Sequence, residues 1–277
     1  LQRRIKEIDK DIITIMITAF ASVDTSIQAL KEGAFDYVVK PVDPDDMSHL
    51  IRNAVEQRRL YYENRQLRSH IEELNITDDI VGQSEQLKEV LDKVATVAPT
   101  DSTVMIRGES GTGKELIARA IHSNSNRRYF PIITINCGAY TEGLLESELF
   151  GHEKGSFTGA LYQRRGKLEM ADKGTIFLDE IGNIGMKMQM DLLRVIESRQ
   201  FCRLGGDKTV DVDFRIICAT NKDLEEAVRN GTFRDDLYYR LNVFTIELPP
   251  LRERSGDLAR LARFFVNKYA KSMKKGT

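Results

Sequence analysis

Seven residues, GESGTGK from Gly108 to Lys114, are the part of this chain best suited to hold phosphate. Gly108, Gly111 and Gly113 let backbone N–H groups curl round an anion, with Glu109, Ser110 and Thr112 filling the positions between. The start of the following helix adds partial positive charge, and the Lys114 ammonium reaches the terminal phosphates. The segment follows an apolar strand pattern and precedes a helical one, which is the context such a loop requires. Glu115 stands where a Ser or Thr commonly assists Mg2+, leaving one metal contact unaccounted for. A second segment, TIFLDE, carries Asp179 and Glu180 at the end of an apolar strand. At the carboxyl edge of an open parallel sheet, where ligands sit, one carboxylate holds Mg2+ through its water shell and the other orients an attacking water. An acidic strand end facing solvent accounts for such a pair on its own. Combined with the loop, the pair points to nucleoside triphosphate hydrolysis.

Asn221 ends a further apolar strand, where it either reports on the γ-phosphate or caps a loop. Arg234 and Arg240 lie in FRDDLYYRLNVF among aromatic and apolar residues. Arginines at a sheet rim make salt bridges, or in ring-shaped ATPases serve the transition state of a neighbouring subunit. The sequence leaves both readings open.

The elements that must position these residues are legible from hydrophobic periodicity. Strand patterns at Thr103–Gly108, Pro131–Cys137, Gly174–Glu180 and Asp213–Asn221 alternate with helical patterns at Lys114–Ser123 and Met186–Ser198. This predicts an α/β fold, a parallel sheet with helices on both faces. Nearer the start, Asp11–Thr18 is apolar on both faces, as a strand buried within a sheet is. A helix over Val23–Gly33 and a strand over Phe35–Pro41 complete a βαβ unit. Only ten residues precede that first strand, so this domain reads as lacking its earlier strands. From Asp45 to Leu74 the pattern is helical. Leu60, Asn64, Leu67, Ile71 and Leu74 occupy a and d positions of a short coiled coil, or pack on their own domain. The polar stretch Asn75–Asp79 marks a boundary. The expected organisation is therefore a first domain over residues 1–55, a helical linker over 56–78 and a second domain over 79–277.

Composition narrows the class. The chain has 277 residues, 41 Lys and Arg against 42 Asp and Glu, and a net charge of −1. No stretch approaches the roughly 20 apolar residues of a membrane span, so no membrane is expected. The neutral balance argues against direct DNA binding. Cys137, Cys202 and Cys218 lack metal-ligand spacing and read as reduced packing residues of a cytoplasmic protein.

GESGTGKE, ELFGHEKGSFTGA, GTIFLDEI, ATNKDL, FRDDLYYRLNVF and PPLRER together resemble the central AAA+ domain of NtrC-type sigma-54-dependent activators, from about Ile80 to Thr277. The first 60 residues resemble the last part of a response-regulator receiver, with Thr18 and Lys40 matching its switch threonine and lysine and Pro41 following. The resemblance implies an AAA+ P-loop NTPase sheet preceded by a partial flavodoxin-like receiver. It implies that Lys114 and the loop hold ATP, Asp179 serves Mg2+, and Glu180 activates water. Asn136 would restrain Glu180, Asn221 would be sensor I, and Arg234 and Arg240 would act in trans. Glu115 is usual in this family. Phe157 and Thr158, at the tip of the GSFTGA loop, would touch sigma-54; Ser156 replaces the usual alanine, a small-for-small change that should be tolerated. An exposed Phe157 with no internal partner suits that role. The implied partners are sigma-54 RNA polymerase, copies of the chain in a dimer or a hexameric or heptameric ring, and an upstream histidine kinase. The resemblance also implies that the phosphoacceptor aspartate lies upstream of Leu1, and that the lid stops short at a basic tail of Lys268, Lys271, Lys274 and Lys275. Two functions follow: an ATP-driven remodeller of the closed polymerase complex, or a nucleotide- and sigma-54-binding fragment without turnover. No His-Arg-Asp catalytic loop speaks for a kinase.

Overall fold

The computed structural model describes residues 4, 5, 7, 12–19, 30–73 and 80–273, with side chains omitted over 67–73 and 271–272. Most of the helix expected over Val23–Gly33, the boundary stretch Asn75–Asp79, Leu74, Lys274 and Lys275 lie outside the described residues, as do the side chains of Leu67, Ile71 and Lys271. The chain divides into units 1–74 and 75–277.

In the first unit β1 (Ile15–Thr18) pairs in parallel with β2 (Asp36–Val39), as the βαβ pattern requires. The Lys40 N–H donates to the Thr18 carbonyl at 2.8 Å, which brings the two expected switch residues to one strand end. The expected burial of β1 is corrected: Met16 and Ile17 are 42% and 52% exposed. Burial of a parallel strand depends on neighbours, and among the described residues β1 has only β2 beside it. Helix α1 (Pro44–Glu73) starts at a proline with Asp45 and Asp46 in its first turn, both favourable at a helix N-terminus. It runs without a break through residues 55 and 56, and its Leu60 is 56% exposed. Leu60 is therefore mostly left open to solvent rather than buried against its own unit.

The second unit holds α2 (Glu85–Val97), β3 (Val104–Arg107), α3 (Lys114–Ser123), β4 (Ile132–Asn136), α4 (Glu142–Phe150), β5 (Gly151–His152), β6 (Arg164–Arg165), α5 (Lys167–Met170), β7 (Thr175–Asp179) and α6 (Met186–Ser198). β8 (Gln200–Cys202), β9 (Thr209–Asp211), β10 (Arg215–Thr220), α7 (Leu224–Arg229), α8 (Asp235–Leu241), β11 (Phe244–Glu247) and α9 (Asp257–Ser272) follow. Five of the strands form one parallel sheet in the order β11-β3-β10-β7-β4, and two antiparallel pairs, β5-β6 and β8-β9, stand apart from it. Side chains alternate across the sheet. Met105, Ile176, Leu178, Ile216 and Cys218 face one apolar cluster, and Val104, Ile106, Phe177, Ile217 and Ala219 face the other. This is the expected parallel α/β sheet, covered by helices on both faces. Cys137 and Cys218 are buried packing residues, but Cys202 is exposed, which corrects its reading. On β8 alternation turns Phe201 inward, and the next residue must then point out.

Two buried charges tie the helices to this frame. The Arg215 guanidinium donates to the carbonyls of Val97 (2.8 Å), Ala98 (2.7 Å) and Ser102 (3.2 Å), satisfying the C-terminal end of α2. At the other end of α2 the Asp257 carboxylate accepts the N–H groups of Gln83 (2.7 Å) and Ser84 (3.1 Å), the Ser84 hydroxyl (2.8 Å) and Arg254 Nε (3.0 Å). Burial pushes the Asp257 carboxyl up, yet these donors outweigh it and hold the group at about 2. A depressed carboxyl stabilises the fold above its unfolded value, near 4, and loses that contribution as pH falls toward 2. Asp257→Asn should therefore cost about 3 kcal/mol at neutral pH, measured by urea denaturation. The difference between wild type and variant should shrink as pH is lowered from about 4 to 2.

Candidate active site

Strand β3 ends at Arg107, and the chain turns through Gly108–Gly113 into α3. Gly111 and Gly113 have φ of +80° and +98°, a left-handed backbone that a side chain would strain. Lys114 opens α3 and folds back over the loop, its Nζ donating to the carbonyls of Gly108 (2.9 Å) and Glu109 (2.8 Å). The Thr112 hydroxyl closes the turn on the Glu109 carbonyl at 2.9 Å. Ser110 is exposed. The Glu115 carboxylate pairs with Arg119 at 2.7 Å, one helical turn on.

Asp179 ends β7, opposite Asn136 at the end of β4. Burial raises the Asp179 carboxyl above its ordinary value, partly opposed by the Glu180 N–H that it accepts and by the nearby charge of Lys114. Glu180 has a φ of +52°, uncommon for a residue with a side chain and a mark of local strain. Its carboxylate accepts Asn183 Nδ2 at 2.9 Å. A Cβ built on Gly138 would overlap Glu180 Oε2, so the backbone after β4 lies directly against that carboxylate. The Asn136 carboxamide accepts the Gly138 N–H at 2.8 Å, while the side chain that bonds Glu180 is that of Asn183. Asn221 is exposed just beyond β10, at the same sheet edge.

A cavity of about 700 Å³ opens beside the loop, walled by Gly111, Gly113, Val81, Leu116, Leu258 and Phe265. Arg252 crosses its rim to Glu109 with two bonds of 2.6 and 2.8 Å. Sequence reading missed Gly138, Asn183, the Arg252 bridge and the apolar walls. PPLRER was the only signal for Arg252, and its partner lies far away in the chain. Among the described residues no cluster of three or more His, Cys, Asp or Glu could hold a metal. A single half-buried carboxylate fits Mg2+ bound largely by phosphates and water.

The arginines are not gathered here. Arg234 pairs with Asp236 at 2.6 Å. Arg240 is exposed and has no ion pair among the described residues. Neither has a polar contact with the phosphate loop, Asp179 or Glu180 among those residues.

The GSFTGA loop is a tight turn, with Gly155 N–H on the Ala160 carbonyl at 2.9 Å and Ala160 N–H on the Phe157 carbonyl at 3.0 Å. Thr158 is exposed at its tip. Phe157 is 47% exposed, but the expectation that it lacks an internal partner is corrected. Its ring rests edge-on against His152, 5.0 Å between centroids, and buried His152 bonds the Ser147 hydroxyl at 2.8 Å. An apolar ring in water gains by settling on the nearest aromatic surface.

The model of the sigma-54 interaction domain matches residues 80–247, and that of the response regulator receiver domain matches residues 1–52. The transcriptional regulatory protein ZraR of Klebsiella oxytoca is 48% identical over 274 residues, covering 99% of this chain and 60% of that protein. The regulatory protein AtoC of Escherichia coli is 48% identical over 256 residues, covering 92% of this chain and 56% of that protein. The chain thus spans 56–60% of the length of these relatives. Among solved structures, NtrX of Brucella abortus in complex with ATP matches with a TM-score of 0.65 and 36% identity, covering 97% of this chain and 60% of that one. Among the described residues no helix is long and apolar enough to cross a membrane.

The chain has no Trp, so Phe157→Trp makes a clean fluorescence probe of the loop tip. Its emission should shift to the red when His152→Ala is added, because the indole loses its shelter; equal emission with and without His152 counts against the contact.

Proposed function

The chain belongs to the sigma-54-dependent response-regulator activators, and on that premise we propose that it is a cytoplasmic ATPase that remodels the closed complex of sigma-54 RNA polymerase. The observation that carries this reading is the meeting, at one sheet edge, of the phosphate loop with Asp179 and Glu180. Loop amides and Lys114 hold the phosphates of ATP, for which Lys114 exchanges its two carbonyl partners. Mg2+, when bound, neutralises phosphate charge, with Asp179 as its protein contact. Glu180 orients and deprotonates the attacking water once Asn183 releases it. Asn136 acts on Glu180 through the Gly138 peptide, and Asn221 reports the state of the γ-phosphate.

The transition state needs a cation from a neighbouring subunit, so turnover requires a ring of this chain. Arg240, exposed and unpaired by acids, is suited to that part; Arg234 must first leave Asp236. Phe157 leaves His152 to meet sigma-54 together with Thr158. Thr18 and Lys40, at one strand end, belong to the switch by which phosphorylation from a histidine kinase controls the longer protein.

Lys114→Ala should abolish ATP turnover, whereas Thr158→Ala should keep turnover and lose open-complex formation. Measuring both activities on each variant tests this division, and normal transcription with the Thr158 variant refutes the loop assignment. Arg240→Ala should bind ATP yet turn it over roughly a thousandfold more slowly. Wild-type turnover should rise more steeply than protein concentration; binding with no turnover at any concentration instead favours a nucleotide- and sigma-54-binding fragment.

A further inference from the structure

One polar cluster joins three parts of the proposed machinery and takes no part in the phosphate chemistry. Arg107 is the last residue of β3, next to Gly108. Glu225 stands in the first turn of α7, just past Asn221. Tyr238 lies on α8, the helix that carries Arg240. The Tyr238 hydroxyl donates to Glu225 at 2.6 Å and accepts Arg107 Nη2 at 3.2 Å and Asn242 Nδ2 at 2.6 Å. Arg107 Nη2 also meets Glu225 at 2.7 Å. A phenol has one proton to give and two lone pairs to fill, so this hydroxyl is fully committed. Burial pushes the Glu225 carboxyl up, but Tyr238 and Arg107 hold it at about 2, so it is charged at neutral pH.

The cluster starts one peptide from the loop. The Gly108 N–H, in the peptide directly after Arg107, donates to the Thr220 carbonyl at 3.3 Å, just before Asn221, and the Gly108 carbonyl that Lys114 grips belongs to the peptide after that. Gly108 is thus bonded to Lys114 on one side and to the end of β10 on the other, with Arg107 directly before it. Tyr238 is 8% exposed and Leu237 and Leu241 are fully buried, so α8 presents Arg240 outward from a held base.

We propose that Arg107, Glu225 and Tyr238 are positioning residues that link the phosphate loop of one subunit to the helix whose arginine it offers to the next. This rests on the ATPase reading above. It makes nucleotide occupancy of one site set the geometry of the cation delivered to its neighbour.

Hydrogen exchange over 235–241 in the full chain, with and without a non-hydrolysable ATP analogue, tests the link without depending on turnover. In wild type the analogue should change exchange in that helix about tenfold, the size of an ordinary coupling between sites. Tyr238→Phe and Glu225→Gln, both nearly isosteric, should bind the analogue within about twofold of wild type and lose that response, and kcat should fall about tenfold at unchanged KM. A merely structural role would lower thermal stability and leave the response in place. Retention of the response in both variants overturns the link, as does a wild type that binds the analogue with no change in α8. A wild type that does not bind the analogue defeats the nucleotide reading itself, and the link falls with it.

Discussion

The parallel register of the five central strands is the constraint on which the rest of this molecule depends. Parallel strands all end at one edge, and here that edge collects Arg107 and the loop after it, Asn136, Asp179, and the Thr220–Asn221 step. The three inner strands, β3, β10 and β7, are buried on both faces by alternating side chains, so a slip of one residue would exchange the two apolar clusters. Register is therefore held by the whole core, and the chemistry inherits its precision. Ile176 and Leu178 facing one way and Phe177 the other leave Asp179 no choice but to emerge opposite Asn136.

At that edge the chain departs from regular structure. Glu180 takes a left-handed backbone with a full side chain, a conformation costing of order 1–3 kcal/mol that persists only where surroundings impose it. The impositions are visible: Asn183 bonds its carboxylate, and the Gly138 backbone closes against it. A glutamate held this way is restrained by two neighbours while still partly open to solvent. The restraint is a hydrogen bond and a packing contact, both breakable at modest cost, which is consistent with the role proposed for Glu180.

Much of this was legible in the sequence, for reasons that vary by residue. The loop and the Asp179–Glu180 pair were readable because short motifs flanked by apolar strands encode local geometry. Helix Met186–Ser198 agreed to the residue because its apolar spacing is regular. The Arg252–Glu109 bridge and the Asp257 cap were not readable, since each joins segments far apart in the chain. Asn183 ends a short turn, Ile181–Asn183, that has no motif. Helix α2, with Leu87, Val90, Val94 and Val97 on one face, carried an adequate signal that was overlooked. The exposure of Met16 and Ile17 marks the limit of pattern reading, because hydrophobicity states what a strand wants and only its neighbours decide whether it is met.

The two arginines of FRDDLYYRLNVF show how a charge is kept available in a chain whose acids and bases nearly balance. Asp235 and Asp236 are spent at the start of α8, where Asp235 accepts the Asp236 N–H and Asp236 accepts the Leu237 N–H and pairs with Arg234. Acids at a helix N-terminus and a base in its last turn each gain from the helix dipole, about 0.3–1 kcal/mol. Arg240 sits in that last turn, so it is stabilised without a carboxylate. A salt bridge would commit such an arginine to a carboxylate, whereas the helix dipole favours it where it stands and asks for none of its donors. At the other end of the helix Arg234, beside the positive pole of that dipole, is held by the carboxylate of Asp236 instead.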